Sequence, residues 1–385
     1  MITYEFLQQY WWVIMSLLGG LLVFLMFVQG GQSMLISLSR REDEKRLVVN
    51  SLGRKWEYTF TTLVVFGGAF FAAFPLFYST SFGGAYWLWM IMLFSFVMQA
   101  VSFEYQNKPG NIFGPTTYRV FLFLNGLVGT FLLGVVVSSF FTGSEFTVGR
   151  ANIAIIGAEG SNVISQWQTP FLGLELLTNV RNIILGLAVF FLSRTIANLF
   201  FIHRIDHESL VNRSRKFVLY NGAPFVVLFL IWIIWAFVAD GYAVDPATGD
   251  VYMQNMKYLI NFIEMPLVGV LFVAGVVAVL YGIIKSIFDK KYENGIWHTG
   301  AGAVVTVTML LINVGFNNTA YYPSSYDLQS SLTIYNSSSS EFTLTVMAGV
   351  SLLVPVVIGY IIYAWGLLET KKLGVEDVKD DGHVY

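Results

Sequence analysis

Two amides, Gln29 and Gln32, sit three residues apart at the end of a long apolar run. That spacing puts them on one helix face. Gly30 and Gly31 lie between them, where a neighbouring backbone can come close. An amide cannot carry a proton by changing its charge; it hydrogen-bonds across helices or holds an ordered water, and the first of these is the preferred reading. A proton route entering here would need Glu57, which follows Trp56 at the start of the next apolar run, as its titrating member. Other ionisable groups at membrane depth cost about 2.5–3.5 kcal/mol each at the bilayer centre, which makes them candidates for function. Glu104 ends the third run, and Asp240 and Glu264 are expected at helix ends, as interfacial or capping carboxylates, or as buried charges or contacts to another subunit. Glu175 and Arg181 are expected to share the outer half of the fifth run. Six residues apart, they are not neighbours on a helix, so each needs a partner elsewhere, in this chain or in another subunit. Arg194, further along, reads as an arginine that snorkels to the headgroups.

No histidine is placed for work inside a bilayer. His203, His207, His298 and His383 all fall between apolar runs or in the tail. A paired-histidine haem site within the bundle is therefore not available. His203 and His207 have i,i+4 spacing without a metal-binding motif around them, so all four are read as surface groups and no metal site is assigned. The twelve methionines are read as packing. With no cysteine in the chain, disulfides, iron–sulfur clusters and thiol nucleophiles are excluded. No residue is assigned a catalytic role.

The elements that must position these groups are set by the solvent. Of 385 residues, 56% are hydrophobic and 12% charged, about half the charged share of a soluble domain, and mean hydropathy is +0.64. Lipid is the implied surrounding. A net charge of -2 gives no nucleic-acid surface. Aromatics at 17% suit headgroup belts. Segments of about 20 apolar residues occur at 10–38, 57–78, 82–103, 117–141, 170–201, 217–238, 262–287, 299–315 and 343–368, giving nine spans. Pro75 and Pro355 fall within the second and ninth and are expected to be tolerated there. No internal repeat or linker divides the chain, which reads as one integral membrane domain over 1–385. The opening MITYEFLQQYWW lacks a basic n-region and a cleavage site, and is read as mature sequence.

Lys and Arg set the orientation. With the N-terminus outside, the intervening segments and tail on the inner side carry eighteen of the 22 basic residues, headed by Arg40, Arg41, Lys45, Arg46, Arg54 and Lys55. The outer segments carry only Arg150 and Lys257. The chain is thus expected to run N-out and C-in. The long outer segments, 142–169, 239–261 and 316–342, are polar and would form either ordered caps or mobile loops. The N-x-[ST] matches at Asn317 and Asn336 carry little weight, and the tail VEDVKDDGHVY reads as a solvated end.

Several blocks resemble one family. YEFLQQYWWVIM, RLVVNSLGRKWE followed by GGAFFAAFPLFYSTSFGGAY, and SFEYQNK resemble subunit II of the cytochrome bd-type quinol oxidases. VADGYAV, YPSSYDLQSSLTIYNSSSSEFTLTVM and VPVVIGYIIYAW agree with it in order and spacing, so that the resemblance covers nearly the whole chain. It implies an all-α polytopic membrane fold, with nine transmembrane helices as two four-helix bundles plus one peripheral helix. It also implies a complex of the bacterial cytoplasmic membrane that oxidises quinol and reduces dioxygen to water, building a proton gradient without pumping. Haem b, haem d and the main quinol site are then expected on the homologous subunit I, with no cofactor on this chain. A small single-helix subunit and membrane lipids are further expected partners.

The family pattern carries a pair of aspartates where this chain has Gln29 and Gln32, and Trp-Asp where it has Trp56-Glu57. Glu104 likewise stands in place of an aspartate. Two acids are lost and two kept, which favours scaffolding of the haem-bearing partner over proton delivery. A stand-alone secondary transporter is the alternative, although neither an inverted repeat nor a matched pair of interrupted helices is visible.

Overall fold

The computed structural model describes residues 3–108, 110–155 and 163–378, so that Lys379, His383 and the end of the tail lie outside the described residues. Helices longer than six residues are α1 Tyr4–Gln32, α2 Glu42–Gly53, α3 Trp56–Ala73, α4 Tyr86–Tyr105, α5 Gly114–Thr142, α6 Val180–Arg204, α7 Glu208–Val238, α8 Lys257–Glu264, α9 Pro266–Phe288, α10 Gly295–Gly315, α11 Glu341–Ser351 and α12 Val354–Leu368. Among the described residues, eight helices are long and apolar enough to cross a membrane, and a ninth if a bent pair counts as one span. α1, α3, α4 and α5 form one group and α6, α7, α9 and α10 a second; α1 against α10 and α5 against α6 join them. Among its described residues α12 has no fully buried side chain; it lies at the periphery of both groups, with Trp365 packed on the edge of the core.

The boundaries depart from hydropathy where polar groups find partners. α1 begins at Tyr4, not residue 10, because Thr3 caps it by accepting from the Phe6 N–H and Gln8 donates to Ser338 Oγ at 2.6 Å. Its regular helix is interrupted at Met26, and Thr59 of α3 donates to the Leu25 carbonyl there at 2.9 Å. The second span stops at Ala73: Pro75 starts a new helical piece, and the chain turns by 119° into the turn Tyr78–Gly83. The proline ring cannot sit inside the preceding helix. Pro355 opens α12 after two turn residues, Leu352 and Leu353, and α11 and α12 together make one span, Glu341–Leu367, close to the expected 343–368. The fifth span does not start at residue 170. Asn179 caps α6 by accepting from the Arg181 N–H, and Glu175 falls in the short 3-10 turn Leu174–Thr178 before it. α7 starts at Glu208, well before residue 217, with the His207 ring accepting from the Leu210 N–H.

The long segments opposite the basic side are ordered where described. β1 Phe146–Val148 pairs antiparallel with β2 Ser165–Trp167, and β3 Gly241–Val244 with β4 Val251–Gln254. The 316–342 segment bridges both, at Ser144–Ser324 and Ala243–Thr319. Asn317 and Asn336 act inside this cap: the Asn317 amide donates to Asn261 and Glu264, and Asn336 accepts from the Thr333 N–H.

Candidate functional site

The end of α1 is held between α5 and α6. A Cβ at Gly30 would run into the Ser193 carbonyl of α6, and one at Gly126 of α5 into the Gln29 carbonyl. Bare glycine backbone at both places is what allows three helices to meet. Gln29 and Gln32 are fully buried there, and so are Gln99 of α4, Asn125 of α5 and Asn198 of α6. Gln29 Nε2 donates to Gln99 Oε1 at 3.2 Å, and Asn125 Nδ2 to Ser95 Oγ at 3.3 Å. Asn198 Nδ2 donates to the Arg194 carbonyl at 2.8 Å and to Met34 Sδ at 3.2 Å. The remaining capacity is unmet: Gln29 Oε1, both Gln32 amide atoms, Gln99 Nε2, Asn125 Oδ1, Asn198 Oδ1 and Arg194 Nε are buried with no hydrogen-bond partner among the described residues. A buried unpaired polar group costs about 1–3 kcal/mol. The interior is therefore polar, neutral apart from Arg194, and under-satisfied.

The carboxylates expected to serve it lie elsewhere. Trp56 is buried and stacks on Phe103 at 5.9 Å, with its Nε1 unpartnered, whereas Glu57 is exposed at the start of α3. Glu104 is exposed at the end of α4, 3.6 Å from Lys108. Arg194 has its guanidinium 5.1 Å from the Phe190 ring rather than reaching a carboxylate. On the opposite side Glu175 accepts from the Gly173 N–H at 2.9 Å, and burial raises its carboxyl above the usual range. Arg181 lies 5.3 Å from the Trp235 ring. Asp240 accepts from Asn255 at 3.0 Å and Glu264 from Asn317 at 2.5 Å; both carboxylates are exposed and belong to the cap, so that neither is a buried charge.

Sequence reading missed the charged layer on the basic side. Glu44 of α2 is covered by its neighbours, pairs with Arg213 of α7 at 2.5 Å and accepts from the N–H groups of Arg40 and Arg41 at 2.7 and 3.2 Å. Burial alone would raise its carboxyl, but Arg213 and the two N–H groups outweigh that and hold it down at about 2. Lys55 is buried, 3.6 Å from the Trp365 ring centre and 3.4 Å from Glu369. Burial pushes its ammonium down to about 8 although Glu369 opposes the shift. These pairs join residues far apart in sequence, and nothing local announces them. Gln99, Asn125 and Asn198 carried a readable signal, an amide inside an apolar run.

The three described histidines stand apart, each engaged with its own neighbours. His207 caps α7, His298 bonds to Tyr292, and His203 packs edge-on against Trp297 at 5.8 Å. Among the described residues no group of three potential metal ligands forms. A cavity between α6, α7 and α9 is lined by apolar side chains such as Leu185, Phe225 and Val279.

The family model described as cytochrome bd terminal oxidase subunit II matches residues 7–368. This chain belongs to that family. Similar curated proteins are the probable cytochrome oxidase subunit 2 of Haemophilus influenzae (27% identical, covering 90% of each chain) and the cytochrome bd-I ubiquinol oxidase subunit 2 of Escherichia coli K12 (25%, covering 100% and 99%). The cytochrome bd ubiquinol oxidase subunit 2 of Bacillus subtilis is 28% identical over 85% of each chain. The fold is that of the bd oxidase from Geobacillus thermodenitrificans, with a TM-score of 0.58 at 14% identity, covering 95% of this chain and 99% of that one. As a bd oxidase subunit II, the chain is a multi-pass inner-membrane part of an oxidoreductase complex and works with a subunit I. The stand-alone transporter reading is set aside.

Proposed function

We propose that this chain is the scaffold of its oxidase: it supports a haem-bearing, quinol-oxidising subunit I and supplies no carboxylate relay through its own interior. The observation that carries this reading is the cluster around Gln29, in which the described residues include amides and Arg194 but no carboxylate, with Glu57 and Glu104 on exposed helix faces. Protons cannot pass by ionisation of amides, and the acids are placed to meet a partner surface or headgroups instead. The exposed side of α3 and α4 is the proposed seat of subunit I. It presents Val64, Val65, Phe71, Phe94 and Val97 together with both carboxylates, whereas the exposed apolar residues of α9 come without a charge until its last turns. Carboxylates on an apolar face call for a partner. The basic side is proposed to be cytoplasmic, and haem b, haem d and the quinol site are placed on subunit I. A small single-helix subunit is a further proposed partner.

The test is the Gln29→Leu/Gln32→Leu double variant in the assembled oxidase, with haem content and oxygen consumption measured together. Scaffolding predicts turnover within about twofold of the parent at full haem content. A tenfold fall in turnover with haem content unchanged would instead assign proton transfer to water held by these amides.

A further inference from the structure

The turn between α9 and α10, on the basic side, gathers four groups that the oxidase reading leaves unused. Lys285 Nζ donates to Tyr281 Oη at 2.9 Å and stands 4.6 Å from the Tyr292 ring centre. Tyr292 Oη and His298 Nδ1 are 2.6 Å apart, and the His298 ring lies 5.3 Å from that of Tyr281. The cluster is held in shape from behind. The buried guanidinium of Arg215 in α7 donates to the carbonyls of Ser286, Asp289, Lys290 and Tyr292, at 2.8, 3.1, 2.7 and 3.1 Å. It thereby caps the end of α9 and fixes the turn that carries Tyr292.

We propose that Tyr281, Lys285, Tyr292 and His298 form a seat for the headgroup of an anionic phospholipid. Several donors of the cluster remain free to bind a ligand. Lys285 keeps two N–H donors, Tyr281 keeps its O–H, and either the Tyr292 O–H or the His298 Nε2–H completes the set. The nearby carboxylates are engaged: Asp289 Oδ1 accepts from the Lys291 N–H at 2.9 Å, and Glu293 pairs with Lys372 at 2.6 Å. A group of donors around one cation matches phosphate oxygens. The depth also fits, since Lys285 lies in the last turn of α9 and His298 in the first turn of α10. Above the seat runs a continuous apolar stripe on the same face, with Val270, Val273, Val277, Tyr281, Ile284 and Phe288 exposed at spacings of three and four. A soluble anion would have no use for that stripe, whereas acyl chains would lie along it.

The experiment takes the whole oxidase in nanodiscs of phosphatidylcholine with one part in five phosphatidylglycerol, and counts retained lipids by native mass spectrometry. The parent is expected to retain at least one phosphatidylglycerol more tightly than phosphatidylcholine. Lys285→Ala should weaken that retention about fivefold, the worth of one basic residue at an anionic surface, and Lys285→Ala/His298→Ala should abolish it. Lys291→Ala, an exposed lysine outside the cluster, should leave it intact. Equal losses for Lys285→Ala and Lys291→Ala would mean only a diffuse basic field and would overturn the seat. So would equal retention of the two lipids, release of phosphatidylglycerol by free inorganic phosphate, or a cross-link from His298→Cys to subunit I showing protein over this face. Haem content and turnover, read on the same samples, keep a failed oxidase distinct from a lost lipid.

Discussion

Two polar regions of this molecule follow opposite rules. On the basic side the charges are real and matched: Glu44 with Arg213, Glu42 with Arg119, Lys55 with Glu369 and Trp365, Arg215 with four carbonyls. Around Gln29, some of the polar atoms have no partner, and apart from Arg194 the groups are neutral. The difference follows from the cost of each. An ion stripped of water must be paired or lose its charge, so ions gather where backbone groups and loop partners are plentiful. An amide left half-satisfied costs far less and is tolerated between helices that approach through glycine.

The contrast can be broken from its charged side first. Glu44→Gln removes the counter-charge of Arg213 and should destabilise the assembled protein by about 3–5 kcal/mol, read as a loss of thermal stability in detergent. The sign with pH is fixed, because the folded carboxyl sits at about 2 against an ordinary 4.5. The stability it contributes is present above pH 4.5 and is lost as pH falls towards 2, so that parent and variant should converge in acid. Equal stability of the two at pH 7 would mean that the pair does not hold α2 against α7.

Gly30→Ala comes next. Its methyl group meets the Ser193 backbone, which cannot step aside as a flexible side chain would, and the expected cost is about 1–3 kcal/mol with lower yield of assembled oxidase. In the amide cluster the expectation reverses. Gln32→Leu removes two unpartnered polar atoms and should leave thermal stability unchanged or raise it slightly. A marked fall would reveal partners for Gln32 in the assembled complex.

The smallest effect concerns Lys55. Burial lowers its folded pKa to about 8 from 10.5, so between those values the unfolded chain binds the extra proton. The stability of the parent relative to Lys55→Met should therefore rise as pH climbs through 8 to 10.5, while below about 8 the lysine stays charged and the difference is flat. A difference that falls with rising pH would contradict the buried placement of the ammonium.

Reading the chain alone reached the all-helical membrane fold and its family, because apolar runs of spanning length and blocks such as RLVVNSLGRKWE are local features. It also located Gln29, Gln32 and the glycines between them, since three-residue spacing is a property of one helix. Helix ends were harder: Asn179, Thr3 and Pro75 decide them through capping and ring geometry, while a hydropathy window averages over such single positions. What only the tertiary structure decided is which polar groups meet. Glu44 finds Arg213, Lys55 finds Glu369 and Gln29 finds Gln99 across 169, 314 and 70 positions of chain respectively. Whether Glu57 faces inward or outward depends on a neighbouring helix that its own segment does not encode. Solvent preference is written residue by residue, whereas the pairing of charges is settled by how separate helices pack.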